Sequence, residues 1–164
     1  MSASAIKDIL GDNSTSKDYL TLTIAGQLFG IQVLQVEDVL RKQNLTIVPL
    51  APKEISGSLN LRGRIVTAIN VREALGLPPP LEDEENSDMS VVVEHEGELY
   101  SLIIDKVGDV LSLNKENFQD NPATLDAKWL SVSAGIYRLE NELMVILDVS
   151  KLIGNIHQKD LKTG

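Results

Sequence analysis

The side chains that most often perform catalysis or bind metals are scarce in this chain. Among its 164 residues there is no cysteine, and there are two histidines, His95 and His157. Without cysteine the chain forms no disulfide, thiolate metal site or thiol nucleophile. His95 lies between two glutamates with no second imidazole or thiol to complete a metal site, and His157 lies in a polar C-terminal stretch. Neither histidine favours a Ser-His-Asp triad, and the sequence predicts no metal ion and no cofactor.

Carboxylates and glycines give no clearer sign of catalysis. The chain has 24 aspartates and glutamates, but no pattern in the sequence brings two of them together in an apolar cleft, as a carboxylate-pair hydrolase requires. Residues 26–30 begin and end with glycine, yet they have neither the spacing nor the strand-to-helix context of a phosphate-binding loop. An enzyme with a carboxylate site stays open as one alternative, and a strongly raised carboxyl pKa in a pocket would be its signature.

Charge is distributed unevenly along the chain. The formal net charge of -9 argues against a nucleic-acid binder, because neutralising phosphates requires surplus lysine and arginine. Residues 41–72 nevertheless hold six bases against one acid, a net charge of +5, whereas residues 82–98 hold eight acids and no base. The basic stretch can form a patch for an acidic partner, and a barrel that binds nucleic acid or another ligand through this patch is a second alternative. The acidic stretch follows three prolines and is typical of a solvated linker.

The chain contains an internal duplication. One block of residues recurs at an offset of 71 and a second block at an offset of 78. The matched pairs are 26–31 with 97–102, Val36 with Val107, Asp38 with Asp109, Gly57 with Gly135, and 69–76 with 147–154. Two related halves are therefore indicated, with seven extra residues between the paired blocks of the second half.

Each half predicts the same short elements. Alternating apolar and polar residues around a tight turn predict a first hairpin in each half and, after an irregular segment, a second hairpin. The predicted strands are 19–25, 28–33, 56–61 and 64–69, then 89–95, 99–104, 132–139 and 142–147, with turns at Gly26-Gln27, Arg62-Gly63, Glu96-Gly97 and Glu140-Asn141. Asn70 and Asp148 can each cap a helical turn, which glycine ends at Gly76 and at Gly154.

These elements predict a mainly β fold built from small Greek-key or SH3-like barrels, with an OB-type barrel as the alternative geometry. A half of about 70 residues is only marginally stable alone, so we expect the halves to share a core. The predicted divisions are a flexible segment over 1–17, a domain over 18–154 (repeat one about 18–76, acidic linker about 77–88, repeat two about 89–154) and a C-terminal tail over 155–164. The pattern leaves open whether the halves exchange strands.

Positions that differ between the halves are the better candidates for function. Arg62 occupies the tip of a predicted hairpin, where the second half has Glu140. Asp38 or Glu37 can pair with Arg62, and an exposed pair contributes only about 0–1 kcal/mol to stability. So small a contribution to stability does not account for an arginine at this position. Two interpretations stay open: Arg62 is a solvated charge in the turn, or it is an interface residue.

Several blocks of sequence form a more specific pattern than strand alternation. They are residues 29–39, Val48-Pro49 followed by Ala51-Pro52, residues 57–66 with Asn60-Leu61-Arg62-Gly63, residues 102–111, and Leu147-Asp148 with Leu152. Together they resemble the CheW-like domain family of chemotaxis coupling proteins over approximately residues 19–153. The resemblance implies two SH3-like five-stranded β-barrel subdomains that share a core, with short helices and no catalytic activity.

The same resemblance implies partners and a site. It implies a cytoplasmic adaptor, recruited to membrane receptor clusters, that couples the tips of methyl-accepting chemoreceptors to the regulatory domain of the histidine kinase CheA. The implied receptor- or kinase-binding residues are Val36, Glu37, Asp38, Gly57, Asn60, Arg62 and Gly63, and the implied second-subdomain interface is Val107, Phe118 and Leu125. No apolar run approaches the roughly 18 residues of a membrane span, so direct membrane insertion is not expected. Because the net charge is -9, nucleic-acid binding is not expected either.

Overall fold

Eleven strands and three α-helices are formed by the residues that the computed structural model describes, which are 15–80 and 89–163, with side chains described as far as residue 156. The strands are β1 (Ser16–Ile24), β2 (Gln27–Gln32), β3 (Val36–Leu40), β4 (Ile55–Leu61), β5 (Arg64–Asn70), β6 (Met89–His95), β7 (Glu98–Ile104), β8 (Lys106–Asn114), β9 (Phe118–Gln119), β10 (Ser133–Arg138) and β11 (Leu143–Leu147). The helices are α1 (Val71–Ala74), α2 (Ala127–Leu130) and α3 (Val149–Thr163).

The strands form two sheets. The five-stranded sheet has the order β3-β6-β7-β5-β4 and is called barrel one; the six-stranded sheet has the order β8-β1-β2-β11-β10-β9 and is called barrel two. Neighbouring strands are antiparallel except β5 with β7 and β2 with β11, which are parallel. The predicted mainly β fold with two barrels is confirmed, and the two-residue strand β9 adds a sixth strand to barrel two.

The two halves exchange their first hairpins. The β1–β2 hairpin of the first half pairs with β8 and β11 of the second half, and the β6–β7 hairpin of the second half pairs with β3 and β5 of the first. This arrangement settles what the sequence pattern left open. Because each barrel needs strands from both halves, neither half can complete its sheet alone.

Strands β3 and β8 lie where the sequence predicted an irregular segment. Half-buried and exposed residues alternate along β3 and along most of β8, but neither strand has a fully buried face, and the sequence of residues 36–40 does not alternate apolar with polar residues. Both pairings also contain an irregularity, between Val36 and Asp38 in β3 and between Leu20 and Leu22 in β1 opposite β8. A bulge of this kind breaks the two-residue period that sequence reading relies on.

Three apolar clusters hold the fold together. The largest is a shared core between the barrels, to which both halves contribute buried residues such as Phe29, Ile69, Leu102 and Val145. The interior of barrel one is formed by Leu59, Val66, Ala68, Val92 and Leu99, and that of barrel two by Tyr19, Tyr137, Met144 and Ile146. The expectation of a shared core is confirmed.

The helix that follows the last strand is longer than predicted. The turn was expected to end at Gly154, with a tail over 155–164, but α3 continues through Gly154 to Thr163. The buried residues Ile153 and Ile156 pack into the shared core and extend the apolar face past the glycine. In the first half, Asn70 caps α1 through a bond from Glu73 N as predicted, and the three prolines that follow Leu77 prevent an equivalent extension.

Two other boundaries differ from the predictions. Strand β1 begins at Ser16, inside the segment predicted to be flexible, and residues 1–14 of that segment lie outside the described residues. The first turn is Ala25-Gly26 rather than Gly26-Gln27. The predicted Glu140-Asn141 turn keeps its position, because Leu139 N donates to Glu142 O over 2.8 Å and leaves these two residues at the tip, but neither residue has the positive φ of the other hairpin turns. Most of the acidic linker, residues 81–88, also lies outside the described residues.

Candidate interaction surface

An ion pair joins the tip of the β4–β5 hairpin to strand β3. Arg62 Nη2 donates a hydrogen bond of 2.9 Å to Asp38 Oδ2, and the two side chains are 79% and 24% exposed. Asp38 Oδ1 in turn accepts from Val39 N over 2.9 Å, which fixes the carboxylate on its own strand. Of the two partners predicted for Arg62, Asp38 forms the ion pair. Glu37 is exposed on the same strand.

The turn that carries Arg62 is built from its own neighbours. Arg62 has a φ of 51° and Gly63 a φ of 86°, the left-handed pair that a two-residue hairpin turn of the primed type requires. Asn60 Oδ1 accepts from Gly63 N over 2.9 Å and braces the turn. Ala25 and Glu96 have the same positive φ in their hairpin turns, so the backbone conformation of Arg62 belongs to the turn type. Asn60 and Gly63 therefore position Arg62.

Gly57 lies in β4 against the connection between β3 and β4. Its φ is 152°, and a Cβ there would lie 2.7 Å from Thr46 O and 2.9 Å from Leu45 Cβ. The connection is held to β4 by two backbone hydrogen bonds of 2.8 Å between Thr46 and Ser58. Glycine is thus required for close approach, and Gly57 acts on the surface by positioning residues 41–54.

Four exposed apolar side chains lie on or beside the elements that carry these predicted residues, and the sequence pattern did not indicate them. Leu34 is 94% exposed in the short 3₁₀ turn between β2 and β3, while the predicted residue Val36 beside it is half-buried against the shared core. On the β3–β4 connection Ile47 and Leu50 are almost fully exposed, and Ile65 is exposed beside the Arg62 turn. The available sequence signals were that Leu50 follows Pro49 and that Ile65 lies two residues after Gly63, whereas Leu34 and Ile47 had no such signal.

The six bases of residues 41–72 do not form one uncompensated patch. Arg72 donates to Asp105 over 2.9 and 2.6 Å and its side chain is 11% exposed, Lys53 lies 3.7 Å from Glu73, and Arg62 is paired with Asp38. Nucleic-acid binding requires bases that are free to meet phosphates. Three of the six are occupied by carboxylates, so this basic stretch gives the alternative of a nucleic-acid barrel little support.

The predicted residues of the second subdomain lie in different environments. Val107 on β8 and Leu125 before α2 are partly buried and pack against the shared core. Phe118 on β9 is 38% exposed at the edge of barrel two, and its ring meets Tyr137 edge-on with centroids 5.5 Å apart. Only Phe118 thus presents a large exposed apolar side chain, and its ring also lies against the position of Gly135, whose φ of 152° repeats that of Gly57.

Shifted ionisation in the described residues follows from structural contacts. Burial raises the pKa of Asp105, but hydrogen bonds from Arg72 and from Ala25 N outweigh burial, and the net pKa lies below the ordinary value. Burial and a hydrogen bond to Glu98 raise the pKa of Tyr100 to about 12.

Within residues 15–80 and 89–156, no three His, Asp or Glu side chains are grouped as a metal site would need. Among the described helices none has the length and apolarity to cross a membrane.

Comparison with known proteins gives one consistent family. The sequence model of the CheW-like domain matches residues 18–157. The protein named chemotaxis protein CheW from Thermotoga maritima is 28% identical over 151 residues, covering 92% of this chain and 97% of that protein. Its namesake from Klebsiella aerogenes is 26% identical over 149 residues, covering 89% and 87%.

A solved structure has the same fold. The crystal structure of the scaffolding protein TtCheW from Thermoanaerobacter tengcongensis superposes with a TM-score of 0.73, at 24% identity, over 83% of this chain and 91% of that one. The family match over residues 18–157 includes strands of both barrels and the Arg62 turn. Since the family match spans most of the chain, this protein belongs to the CheW-like domain family.

Proposed function

We propose that this chain, a non-catalytic chemotaxis scaffold of the CheW type, couples the cytoplasmic tips of chemoreceptors to the regulatory domain of the histidine kinase CheA. Such coupling requires at least two surfaces that bind different macromolecules at once. Barrel one offers the Arg62 turn with β3, and barrel two offers the edge that carries Phe118. The proposed location is the cytoplasm, at receptor clusters.

The exposed Arg62–Asp38 pair is the observation that carries this proposal. Arg62 is 79% exposed, yet its guanidinium is already held by Asp38, so little side-chain entropy is lost when a partner packs against it. Arginine is enriched among the residues that dominate binding energy at interfaces. The second half has Glu140 at this position, in a turn without the positive φ of Arg62, so the duplication alone does not require an arginine here.

The other predicted residues support the same surface in different ways. Gly57 holds the β3–β4 connection, with its exposed Ile47 and Leu50, close to β4. Val36 anchors the start of β3 in the shared core, and Asn60 braces the turn. The proposed interface of the second subdomain consists of Val107, Phe118 and Leu125, with Phe118 as its contact residue.

Arg62→Ala tests the proposal directly. We expect the variant to bind a receptor-tip fragment or the CheA regulatory domain roughly 30-fold more weakly, which corresponds to the hot-spot threshold of about 2 kcal/mol. Isothermal titration with each purified fragment, separately and together, measures this change. The matched control is Arg64→Ala, an exposed arginine of the same hairpin whose described hydrogen bond goes to Gly97 O over 3.4 Å.

Three results distinguish the parts of the proposal. Unchanged affinity of Arg62→Ala for both fragments would remove Arg62 from the interface. An equal loss for Arg64→Ala would indicate long-range attraction by positive charge instead of a specific contact. If the unmodified chain bound neither fragment, or bound them only in competition, the coupling function itself would be wrong.

A further inference from the structure

The interiors of the two barrels differ at equivalent positions. The interior of barrel two includes Tyr19, Tyr137 and Ile146, and the offsets of the duplication place these residues on Ser90, Leu59 and Ala68 of barrel one. In barrel two these three side chains border a cavity of about 240 Å³ whose lining includes Lys17, Gln32 and Lys115, whereas the smaller side chains of barrel one border a more apolar space. Barrel one contains a cavity of about 120 Å³, here called the barrel-one cavity, lined by Lys42, Gln43, Leu45, Leu59, Ala68, Ser90, Ser101 and Ile103.

Strand register explains which side chains reach this cavity. Ser90 on β6 is paired with Ile103 on β7, and Ser101 on β7 is paired with Ala68 on β5. Since side chains alternate between the two faces of a strand, these four share the inner face. Neighbours on the other face, such as Val91, Leu102 and Ile69, lie in the shared core. Exposed Lys42 and Gln43 of the β3–β4 connection form the outer part of the lining.

Two buried hydroxyl groups line this cavity without a partner. Ser90 is 5% exposed and Ser101 is 2% exposed, and neither hydroxyl makes a hydrogen bond to any residue within the described ranges. In barrel two the hydroxyl of Tyr19, which corresponds to Ser90, is satisfied, because it lies 3.4 Å from the Tyr137 hydroxyl and shares a hydrogen bond with it, and Ser101 corresponds to Gly30, which has no polar side chain. A buried hydroxyl without a partner costs free energy, so these serines indicate that a hydrogen-bonding group occupies the space between them and the apolar walls.

We propose that the barrel-one cavity binds a small neutral molecule with a compact apolar body and one hydroxyl group, a class that phenol represents. A cavity of about 150 Å³ lined by apolar side chains accommodates benzene, so this cavity suits a single ring of about six carbon atoms. Leu45, Leu59 and Ile103 contact the ring, and the hydroxyl exchanges hydrogen bonds with Ser90 and Ser101. A charged group does not fit beside Ser90 and Ser101, because the buried walls there would desolvate its charge, and the charged lining residue Lys42 lies in the exposed outer part.

Titration of the full chain with phenol and with benzene tests this inference. Methyl resonances of Leu45, Leu59 and Ile103 in NMR spectra should shift and saturate, with a dissociation constant in about the millimolar range. Replacing both Ser90 and Ser101 by alanine removes two oxygen atoms without adding volume. This double variant should bind phenol about tenfold more weakly and benzene unchanged, since only phenol loses its hydrogen bonds.

A filling variant gives the second arm. Ala68→Ile introduces the residue type that barrel two has at Ile146, and it should abolish the binding of both probes. Thr67→Ile is the matched control, because it adds similar volume at the neighbouring position of β5, on the other face, and should leave binding intact. The double alanine variant keeps the inference testable if Ala68→Ile fails to fold.

Four outcomes would overturn the inference. They are the absence of saturable binding, shifts confined to residues outside the lining, equal binding of phenol by the double alanine variant, and a crystal structure of phenol-soaked protein that shows water alone between the two serines. Because receptor and kinase binding are not part of these measurements, the result is independent of the proposed function.

Discussion

Two junctions of the molecule are equivalent by the duplication but differ in chemistry. At the first, Asp105 between β7 and β8 accepts hydrogen bonds from Arg72 of α1 and from Ala25 N of the β1–β2 turn. At the second, the corresponding position is Leu34, which is 94% exposed, and Arg72 corresponds to Ser150. An ion pair with Asp105 thus stabilises the first junction, where Asp105 also binds the β1–β2 turn, and the second junction has no equivalent pair between Leu34 and Ser150.

This difference shows that an ion pair is not required at both junctions for the fold to form. Both junctions hold a hairpin in the opposite half, so the architecture can form without the Asp105–Arg72 pair. An exposed leucine adds nothing to the core, and a single exposed apolar side chain is common on protein surfaces. The first junction therefore contributes an ion pair to stability and the second does not, and a binding role for Leu34 is the prediction that Leu34→Ser tests.

Gly57→Ala is expected to have the largest effect on stability. The added Cβ meets Thr46 O and Leu45 in a positive-φ conformation, so strain and overpacking should together lower the free energy of unfolding by roughly 2–4 kcal/mol. Urea denaturation followed by circular dichroism measures this change. Gly154→Ala is the control: Gly154 lies in α3 with nothing within 4 Å of the added atom, and alanine there should stabilise by about 0.5–1 kcal/mol. Equal effects of both variants would show that the close approach at Gly57 is not required.

Removing the ion pair of the first junction should have the next largest effect. Arg72→Met keeps the apolar stem but leaves Asp105 partly buried without its cation, and we expect a loss of roughly 1–3 kcal/mol of unfolding free energy. Ser150→Ala, the corresponding change at the second junction, should stay within about 0.5 kcal/mol. The same urea titration compares them, and losses of similar size would erase the proposed distinction between the junctions.

The pH dependence of unfolding provides an independent readout of this junction. Burial raises the pKa of Asp105, yet hydrogen bonds from Arg72 and Ala25 N hold it below its ordinary value of 3.8. Folding therefore favours the carboxylate, and its contribution is present above pH 3.8 and is lost as the pH falls through the lower folded-state pKa. Asp105→Asn should lose this part of the pH dependence. An unchanged acid slope would contradict the role of the carboxylate.

Local chemistry allowed much of the fold to be predicted from sequence. The four hairpins and the Asn70 cap depend on residues close in the chain, and they lie near where alternation and turn residues indicated. The exchange of hairpins was not predictable from these signals, because β3 and β8 find their partners in the other half. Gly154 misled the prediction because the packing of Ile153 and Ile156 outweighs the helix cost of one glycine.

The candidate site was predictable only in part. The contrast between Arg62 and Glu140 indicated the hairpin tip, but the choice between Glu37 and Asp38 depends on the bulge in β3. Leu34 escaped notice because exposure is a property of the assembled junction and not of the residue type. The barrel-one cavity likewise arises from small residues on three strands that meet only in the folded sheet.

The smallest effect on stability is expected at the second junction, from Leu34→Ser. Leu34 is 94% exposed, so its replacement should change the unfolding free energy by less than about 0.5 kcal/mol. If the second junction serves a partner, the variant should nevertheless weaken the binding of the receptor tip or the CheA regulatory domain by about tenfold, the loss expected for one apolar contact. Leu130→Ser, at a leucine of α2 that is 44% exposed, controls for a general loss of surface apolarity. Loss of stability without loss of affinity would place Leu34 with Asp105 as a structural residue, and the two junctions would then differ only in the means by which each holds its own exchanged hairpin.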